Sequence, residues 1–294
     1  MNLFTIDNTK DVLYPLSKDE YDNPRILYHG TSSIFSELIE NNGWEFNVLP
    51  YDLEDFVTIV DIFKKIGWDG ISGDVISLES FTLGGDRSYV QTKTASFTPD
   101  YHTARNYSRH PGGESVFFLF NAMEDILKIC DDNELRQNHI SEIQTELNKN
   151  LIMQKKVKNP EVLDDEISHQ KTFLTNLTSD FLTKSKPVVL ELKEKYSQMI
   201  KKNIPIVYVI KAEPDYFQEG IFENEPFSLR YLQLELRPIV SIPHSSIIAK
   251  IIFPNGIVHF KTFMNTVQPV KWQKQEWNDY CVENRQTEFQ INDI

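Results

Sequence analysis

Residues 121–202 constrain the fold more than any other stretch. Polar Glu, Lys, Gln and Asn surround Ile and Leu at helical spacing through MEDILKIC, ISEIQTELNKNLIMQKKV, LDDEISHQKTFLTNLTSDFL and VVLELKEKYSQMIKK. Apolar residues that recur every three or four positions give each run one face to bury. The stretch therefore reads as an all-helical insertion of two to four helices, with room for a helical hairpin, and with Pro160 and Pro187 separating the runs. It carries no chemical motif, so a lid, a target-reading element and a partner surface are all open to it. Strand character lies on either side: Ile26-Leu27-Tyr28 before it, then Ile204–Lys211, Ser228–Val240 and Ile247–Phe253 after it. In Ser228–Val240, Leu232, Leu234 and Leu236 alternate with Tyr231, Gln233, Glu235 and Arg237, the period of a strand with one buried face.

The first strand belongs to RILYHGTSS, Arg25–Ser33. It runs into His29-Gly30-Thr31, and a helix follows, capped by Ser32 or Ser33, with Ile34, Phe35, Leu38 and Ile39 on one face. An imidazole and a hydroxyl can bond ribose hydroxyls, and a glycine lets a ligand approach the backbone. Asn41-Asn42-Gly43 ends that helix, since these residues tolerate a left-handed backbone. Residues 51–66 read as a second amphipathic helix with Leu53, Phe56, Val57, Val60, Phe63 and Ile66 on one side. The glycines of 67–73 and 84–85 lack the spacing of a Walker or dinucleotide loop and read as turns. Thr94–Thr98 reads as a strand, and Pro99-Asp100 opens a helix on which Ala104 and Tyr107 share a face. Pro111-Gly112-Gly113 ends it, and Ser115–Phe120 reads as a buried strand.

Composition narrows the function classes. A formal charge of −13 disfavours broad nucleic-acid binding, which needs Lys and Arg against phosphates, although a local basic groove remains compatible with it. No apolar run is long enough to span a membrane, and the N-terminus lacks a signal-peptide pattern. Cys130 and Cys281 match no metal or redox spacing and read as buried thiols in a reducing cytosol. His102, His110, His139, His169, His244 and His259 form no HxH, HExxH or Cys/His pattern, so no metal is expected. The tail 261–294 holds Trp272, Trp277 and Tyr280 among polar residues and is expected to pack across the surface.

Three segments in chain order carry a family resemblance: His29-Gly30-Thr31, then SFTPDYHTARNYS (96–108), then Gln233-Leu234-Glu235 followed by IPHSSI and a strand. Together they resemble the ADP-ribosyltransferase superfamily, in the branch whose first motif is His-Gly-Ser/Thr. The resemblance covers 25–120 and 204–254, within a core that extends to 260. The helical insertion 121–202 and the tail 261–294 lie outside it, in a chain taken as one domain over 1–294. It implies an α+β fold: a split antiparallel β-sheet core around a cleft that holds NAD bent. It implies that His29 bonds the adenosine-side ribose, that the Gly30 backbone clamps the nicotinamide amide, and that Thr31 supports the ribose contacts. Tyr107 would stack on the nicotinamide, with Tyr101 as its substitute, while Ser96 and Thr98 support the cleft by hydrogen bonds. Glu235 would bond the 2′-hydroxyl of the nicotinamide ribose, and Gln233 would position the nucleophile.

The residue types suit that chemistry. Cleavage of the nicotinamide–ribose bond passes through an oxocarbenium-like state, and a fixed carboxylate stabilises that charge more than the ground state. An aromatic ring suits a flat cationic one. Positions i and i+2 of a strand face the same way, so Gln233 and Glu235 would share the cleft. Two departures bear on the acceptor. Ser96-Phe97-Thr98 is similar to the Ser-x-Thr/Ser strand of the branch whose first motif is arginine, and Gln-x-Glu is also commoner there. Members with Gln-x-Glu modify asparagine, cysteine or guanine, so the resemblance disfavours arginine as target.

The function expected is an NAD-dependent mono-ADP-ribosyltransferase acting as a toxin, an effector or a phage-defence enzyme. Its acceptor would be a nucleobase of RNA or DNA, or a protein side chain, in the cytoplasm of the producing cell or of a host. An antitoxin or target would dock on 121–202, and no membrane is involved. One alternative is an RNA 2′-phosphotransferase on the same fold, which needs arginines for phosphate; Arg25, Arg87, Arg105 and Arg109 are the available ones. The other is a non-catalytic binding module that acts through the insertion.

Overall fold

The computed structural model describes residues 1–7, 16, 25–44, 49–82, 95–98, 101–110, 112–157, 159–201, 203–216 and 240–257. Among them are eight α-helices and four strands, an α+β composition. They divide into two compact units, one drawn from 1–50, 89–114 and 199–294, the other from 51–88 and 115–198.

The first unit is built on a four-stranded sheet in the order β1-β4-β3-β2. Its strands are β1 (Asn2–Thr5), β2 (Ile26–Ser32), β3 (Pro205–Lys211) and β4 (Ile247–Ile252). β2 runs antiparallel to β3, with His29 opposite Tyr208, and β3 runs antiparallel to β4, with Tyr208 opposite Lys250. β1 joins β4 in parallel, so the described sheet is mixed rather than antiparallel. No strand was expected at β1, and its residues explain why. Leu3 is 63% exposed and Phe4 only partly buried, so the segment is held by its ladder with β4 more than by an apolar face. Of the expected strand Ser228–Val240, only Val240 lies within the described residues, as an exposed bend.

Both faces of the sheet are covered, which accounts for the unbroken apolar run in β3. On one face Ile26, Tyr28, Val207, Val209, Ala249 and Ile251 pack with Tyr101 and Ala104 of α4 (Tyr101–Ser108). On the other, Leu27, Ile206, Tyr208, Ile210 and Ile247 pack with Trp44, Phe97 and Ile39 of α1 (Ser36–Asn42). The capping expected of Ser32 or Ser33 is absent. The Ser33 hydroxyl instead donates to Asn203 Oδ1 (3.1 Å) and accepts from Ile204 N (3.0 Å), tying the end of β2 to the start of β3.

Gly30 decides how closely α4 can lie on β2. A Cβ at Gly30 would sit 1.7 Å from the Ala104 carbonyl oxygen and 2.9 Å from Ser108 N, so any side chain there would push the helix off the strand.

In the second unit α2 (Leu53–Ile66) starts on Asp52, whose carboxylate accepts from Glu54 N, and ends at Gly67 in the left-handed region. It buries Phe56, Val60, Phe63 and Ile66 as its periodicity predicts, together with Ile59 and Ile62. The helices that follow are α3 (Asp74–Thr82), α5 (Gly113–Asp131), α6 (Asn133–Gln154), α7 (Asp164–Thr178) and α8 (Phe181–Ile200). Two expectations are corrected here. Ser115–Phe120 is not a strand but the start of α5. A short apolar run is ambiguous by itself; here Val116, Leu119, Met123, Ile126 and Ile129 continue it at helical spacing, and all are buried. Pro187 does not separate two helices either but stands inside α8. The buried stripe of Leu182, Ser185, Val189, Leu192 and Tyr196 carries the helix through, although proline removes one backbone bond.

The loop between α2 and α3 is fixed by Asp125 of α5. Its buried carboxylate accepts from Ile71 N (2.8 Å), Ser72 N (2.9 Å) and Ser72 Oγ (2.9 Å), with Lys128 Nζ at 3.3 Å. Burial raises its pKa, but the bonds from Ser72, Ile71 and Lys128 outweigh burial and hold it below the usual aspartate value.

Two stability predictions follow from these contacts. Gly30→Ala should lower the unfolding free energy by about 3 kcal/mol, read as a shift in urea midpoint at unchanged slope. Asp125→Ala removes the shared acceptor of Ile71 N, Ser72 N and Ser72 Oγ and should cost about 1–2 kcal/mol at neutral pH. Because the folded pKa of Asp125 lies below its unfolded one, the stability it confers is present above about pH 4 and lost as acid titrates the folded carboxylate. The wild type and the alanine variant should therefore converge in acid.

Candidate functional site

The site grows from the hydrogen-bond parity of β2. At the two ends of the ladder, the Arg25 carbonyl accepts from Ala212 N (2.7 Å) and Ser33 N donates to the Ile204 carbonyl (2.9 Å), so the odd residues bond towards β3. The even residues turn outward. Tyr28 N donates to the Thr98 carbonyl (2.8 Å) and its own carbonyl accepts from Thr98 N (2.9 Å), a bridge that ends there. Gly30 is next in the outward row. Its N–H and C=O face the strand edge beyond that bridge, and among the described residues they have no partner on that side.

Side chains alternate in the other sense. Gly30 shares the face of Tyr28, under α4, whereas His29 shares the face of Leu27, with Trp44 and Phe97. The His29 Nδ1 lies 2.7 Å from the Ser96 carbonyl oxygen. A carbonyl can only accept, so Nδ1 carries the proton and a neutral ring presents Nε2 as an acceptor. The ring centroid lies 5.2 Å from that of Trp44, at 75°, and 5.2 Å from that of Phe97, at 46°. Burial in this shell pushes the imidazole down to about 4, against a smaller upward effect of the Ser96 bond. The ring is therefore neutral at pH 7.

The site residues expected from the sequence are distributed as follows. His29 and Ser96 meet, through the Ser96 backbone rather than its hydroxyl. Thr98 is buried and locks residues 97–98 onto β2. Thr31 is buried near the end of β2. Tyr107 is carried by α4, the helix on the Gly30 face, and is 42% exposed. Tyr101, its expected substitute, is fully buried edge-on to Tyr28 and so serves the core. Gln233 and Glu235 lie outside the described residues. The chain re-enters at Val240, and the Ile242 carbonyl accepts from Trp44 N at 2.8 Å.

Sequence reasoning missed a polar row across the His29 face. Tyr208, opposite His29, donates its hydroxyl to Glu40 Oε1 (2.8 Å) and lies 3.2 Å from Ser36 Oγ. Lys250, opposite Tyr208, pairs with the same Glu40 oxygen. Burial raises the Glu40 pKa, but the bonds from Lys250 and Tyr208 outweigh burial and hold it below the usual carboxylate range. Burial, with Glu40 alongside, pushes the Tyr208 phenol above its ordinary range. Glu40 is thus an ion and Tyr208 a neutral donor at pH 7. Period-two alternation in IPIVYVIK places Tyr208 on a defined face; the partner across it comes from a helix far away in sequence, which no local pattern encodes. Among the described residues, no three His, Cys, Asp or Glu side chains converge as a metal would need.

Comparison with protein-family models, with curated proteins and with solved structures finds no match for this chain.

The neutral state of His29 can be read directly. Its ring-proton shifts should stay flat from pH 8 to about 5 and move only towards pH 4. Since its folded pKa lies below the unfolded value of about 6.5, the stability tied to the neutral ring is complete above pH 6.5 and lost as pH falls towards 4. The loss should reach about 3 kcal/mol. A midpoint titration near pH 6.5 would contradict the desolvation of the ring.

Proposed function

We propose that the protein is an NAD-dependent mono-ADP-ribosyltransferase whose nicotinamide-ribose end is held at the outward edge of β2. The observation that carries this reading is the pairing, at adjacent residues, of two elements that have no hydrogen-bond partner among the described residues. Gly30 offers an outward N–H and C=O, which match the C=O and NH₂ of a carboxamide, and His29 offers Nε2 as an acceptor for a sugar hydroxyl. A dinucleotide carrying both a carboxamide and ribose hydroxyls fits that pair. The side-chain side of Gly30 is filled by α4, so what the residue offers a ligand is its backbone alone.

In this reading Glu235 bonds the 2′-hydroxyl of the nicotinamide ribose and stabilises the cation that develops at C1′ as nicotinamide leaves. Gln233 orients the acceptor, Tyr107 covers the departing ring, and Ser96, Thr98 and Thr31 support the edge. The overall transfer breaks the C1′–N bond of NAD and forms a C1′ bond to the acceptor, with nicotinamide leaving as the neutral base and the acceptor losing one proton. The fold implied is the split-sheet core around an NAD cleft, and the role implied is that of a toxin, effector or phage-defence enzyme.

Two of the four arginines of the phosphotransferase alternative are engaged elsewhere, and Arg87 lies outside the described residues. Arg25 pairs with Glu213 (3.5 Å), and Arg105 is fully buried with its guanidinium over the Phe253 ring (5.6 Å). A binding module acting through the helices keeps one supporting observation: Ile152, Met153, Val157 and Val162, at and just beyond the end of α6, are exposed.

Incubation with adenylate-labelled NAD and separate pools of RNA, DNA and protein tests the proposal. Label should enter one pool, and Glu235→Ala should lower the rate by about a hundredfold or more. Full activity in that variant overturns the site. Absence of NAD turnover favours the binding module.

A further inference from the structure

We propose that Trp44 is a positioning residue that holds the His29 imidazole in the orientation and tautomer needed to meet a ribose hydroxyl; the ligand in this inference rests on the NAD reading, whereas the geometry does not. His29 makes a single hydrogen bond within the described protein, from Nδ1 to the Ser96 carbonyl. One bond fixes a point and leaves the ring free to turn about it. It also does not by itself prevent the ring flip that exchanges the positions of Nδ1 and a carbon. Flat neighbours on the ring supply what the bond lacks, and Trp44 and Phe97 both stand 5.2 Å from it.

Trp44 is the better anchored of the two and the one that reaches furthest. Its indole meets Phe97 at 5.1 Å and Tyr208 at 5.3 Å, both nearly perpendicular, so its plane is set by two rings besides that of His29. Its backbone is bonded to Ile242, and only 5% of it is exposed. Gly43 makes this placement possible. At φ +76°, it turns the chain out of α1, and a Cβ there would lie 2.3 Å from the Ile242 carbonyl oxygen and 2.7 Å from His244 N. A tryptophan ring with a fixed backbone and three aromatic contacts has one position. The imidazole set against it is therefore presented to ligand already oriented, which lowers the entropy cost of binding.

A positioning role separates from a merely structural one by its readout. Loss of stability lowers the active fraction and hence the apparent kcat; loss of orientation in the ground-state contact raises KM and changes the imidazole itself. The experiment uses the full chain labelled with ¹⁵N-histidine, in wild type, Trp44→Phe and Trp44→Leu. Wild type should show His29 as one neutral form with its proton on Nδ1. Trp44→Leu should move both nitrogen shifts towards tautomer averaging and raise KM for NAD by about tenfold, with kcat within about twofold. Trp44→Phe, which keeps an aromatic edge, should show a smaller change of each kind, with KM raised about threefold. Unchanged nitrogen shifts or an unchanged KM in the folded variants overturn the proposal. If Trp44→Leu does not fold, the phenylalanine variant decides by the same two readouts. If wild type shows no NAD turnover, the NAD reading falls, and the nitrogen shifts alone still decide whether Trp44 sets the imidazole.

Discussion

The close approach of α4 to β2 at Gly30 is the constraint from which the arrangement of the first unit follows. With the Ala104 carbonyl occupying the space of a missing side chain, the helix lies directly on the strand. The short segment 97–98 that precedes the helix is bonded to the outer edge of β2 through Tyr28. That placement brings the Ser96 carbonyl to the His29 imidazole and Phe97 to its ring. A larger residue at Gly30 would lift α4 and loosen the segment that sets His29. The glycine of the His-Gly-Thr triplet thus has a packing role on one side and exposes its backbone groups along another direction. Strand geometry makes both possible because side chains and amides of one residue point along perpendicular axes.

Burial sets the state of the imidazole on the His29 face, and a charged partner sets that of the carboxylate. The imidazole is kept neutral by an aromatic shell, and a neutral ring with one committed nitrogen is an acceptor of defined direction. Across the sheet, Glu40 stays ionised because Lys250 and Tyr208 together outweigh its loss of water. The two sites are joined through Trp44, which touches both His29 and Tyr208. Among the described groups of this face, an uncharged acceptor stands with a self-neutralised Glu40–Lys250 pair, in a chain whose formal charge is −13.

The helical unit uses different means. Its apolar stripes bury Ile66, Ile129, Ile140, Ile143, Leu177 and Leu182 in one cluster. Its loops and helix ends are pinned by single polar anchors: Asp125 under 71–72, His139 on the Ile66 carbonyl (3.0 Å), and Asn150 against Gln170 (3.3 Å). Lysines of α8 reach acids on neighbouring helices, Lys186 to Asp131, Lys193 to Glu124 and Lys195 to Asp55. These pairs are partly exposed, Asp55 least so, whereas Asp125, His139 and Asn150 are buried and contribute more to the register.

The sequence by itself determined the elements whose signal is local. Strand β2, the stop at Gly43, α2 with its buried face, α4 after Pro99-Asp100, and the helical character of 121–202 all follow from side-chain period and cap residues within a few positions. It placed His29 beside a glycine at the end of a short strand, whereas β2 runs on to Ser32 and holds His29 in its middle. Where one local signal served two structures, the tertiary structure decided. The apolar start of α5 was settled by the residues after it, and Pro187 was carried inside α8 by a buried stripe that outweighs one lost hydrogen bond. The tertiary structure alone decided that Gly30 lies under Ala104, that Ser96 contributes a carbonyl rather than a hydroxyl, and that Trp44, Glu40, Tyr208 and Lys250 surround the His29 face. The reason is physical: a residue's period reports which face it occupies, whereas its partner, its pKa and its tautomer depend on what is brought against that face from distant parts of the chain.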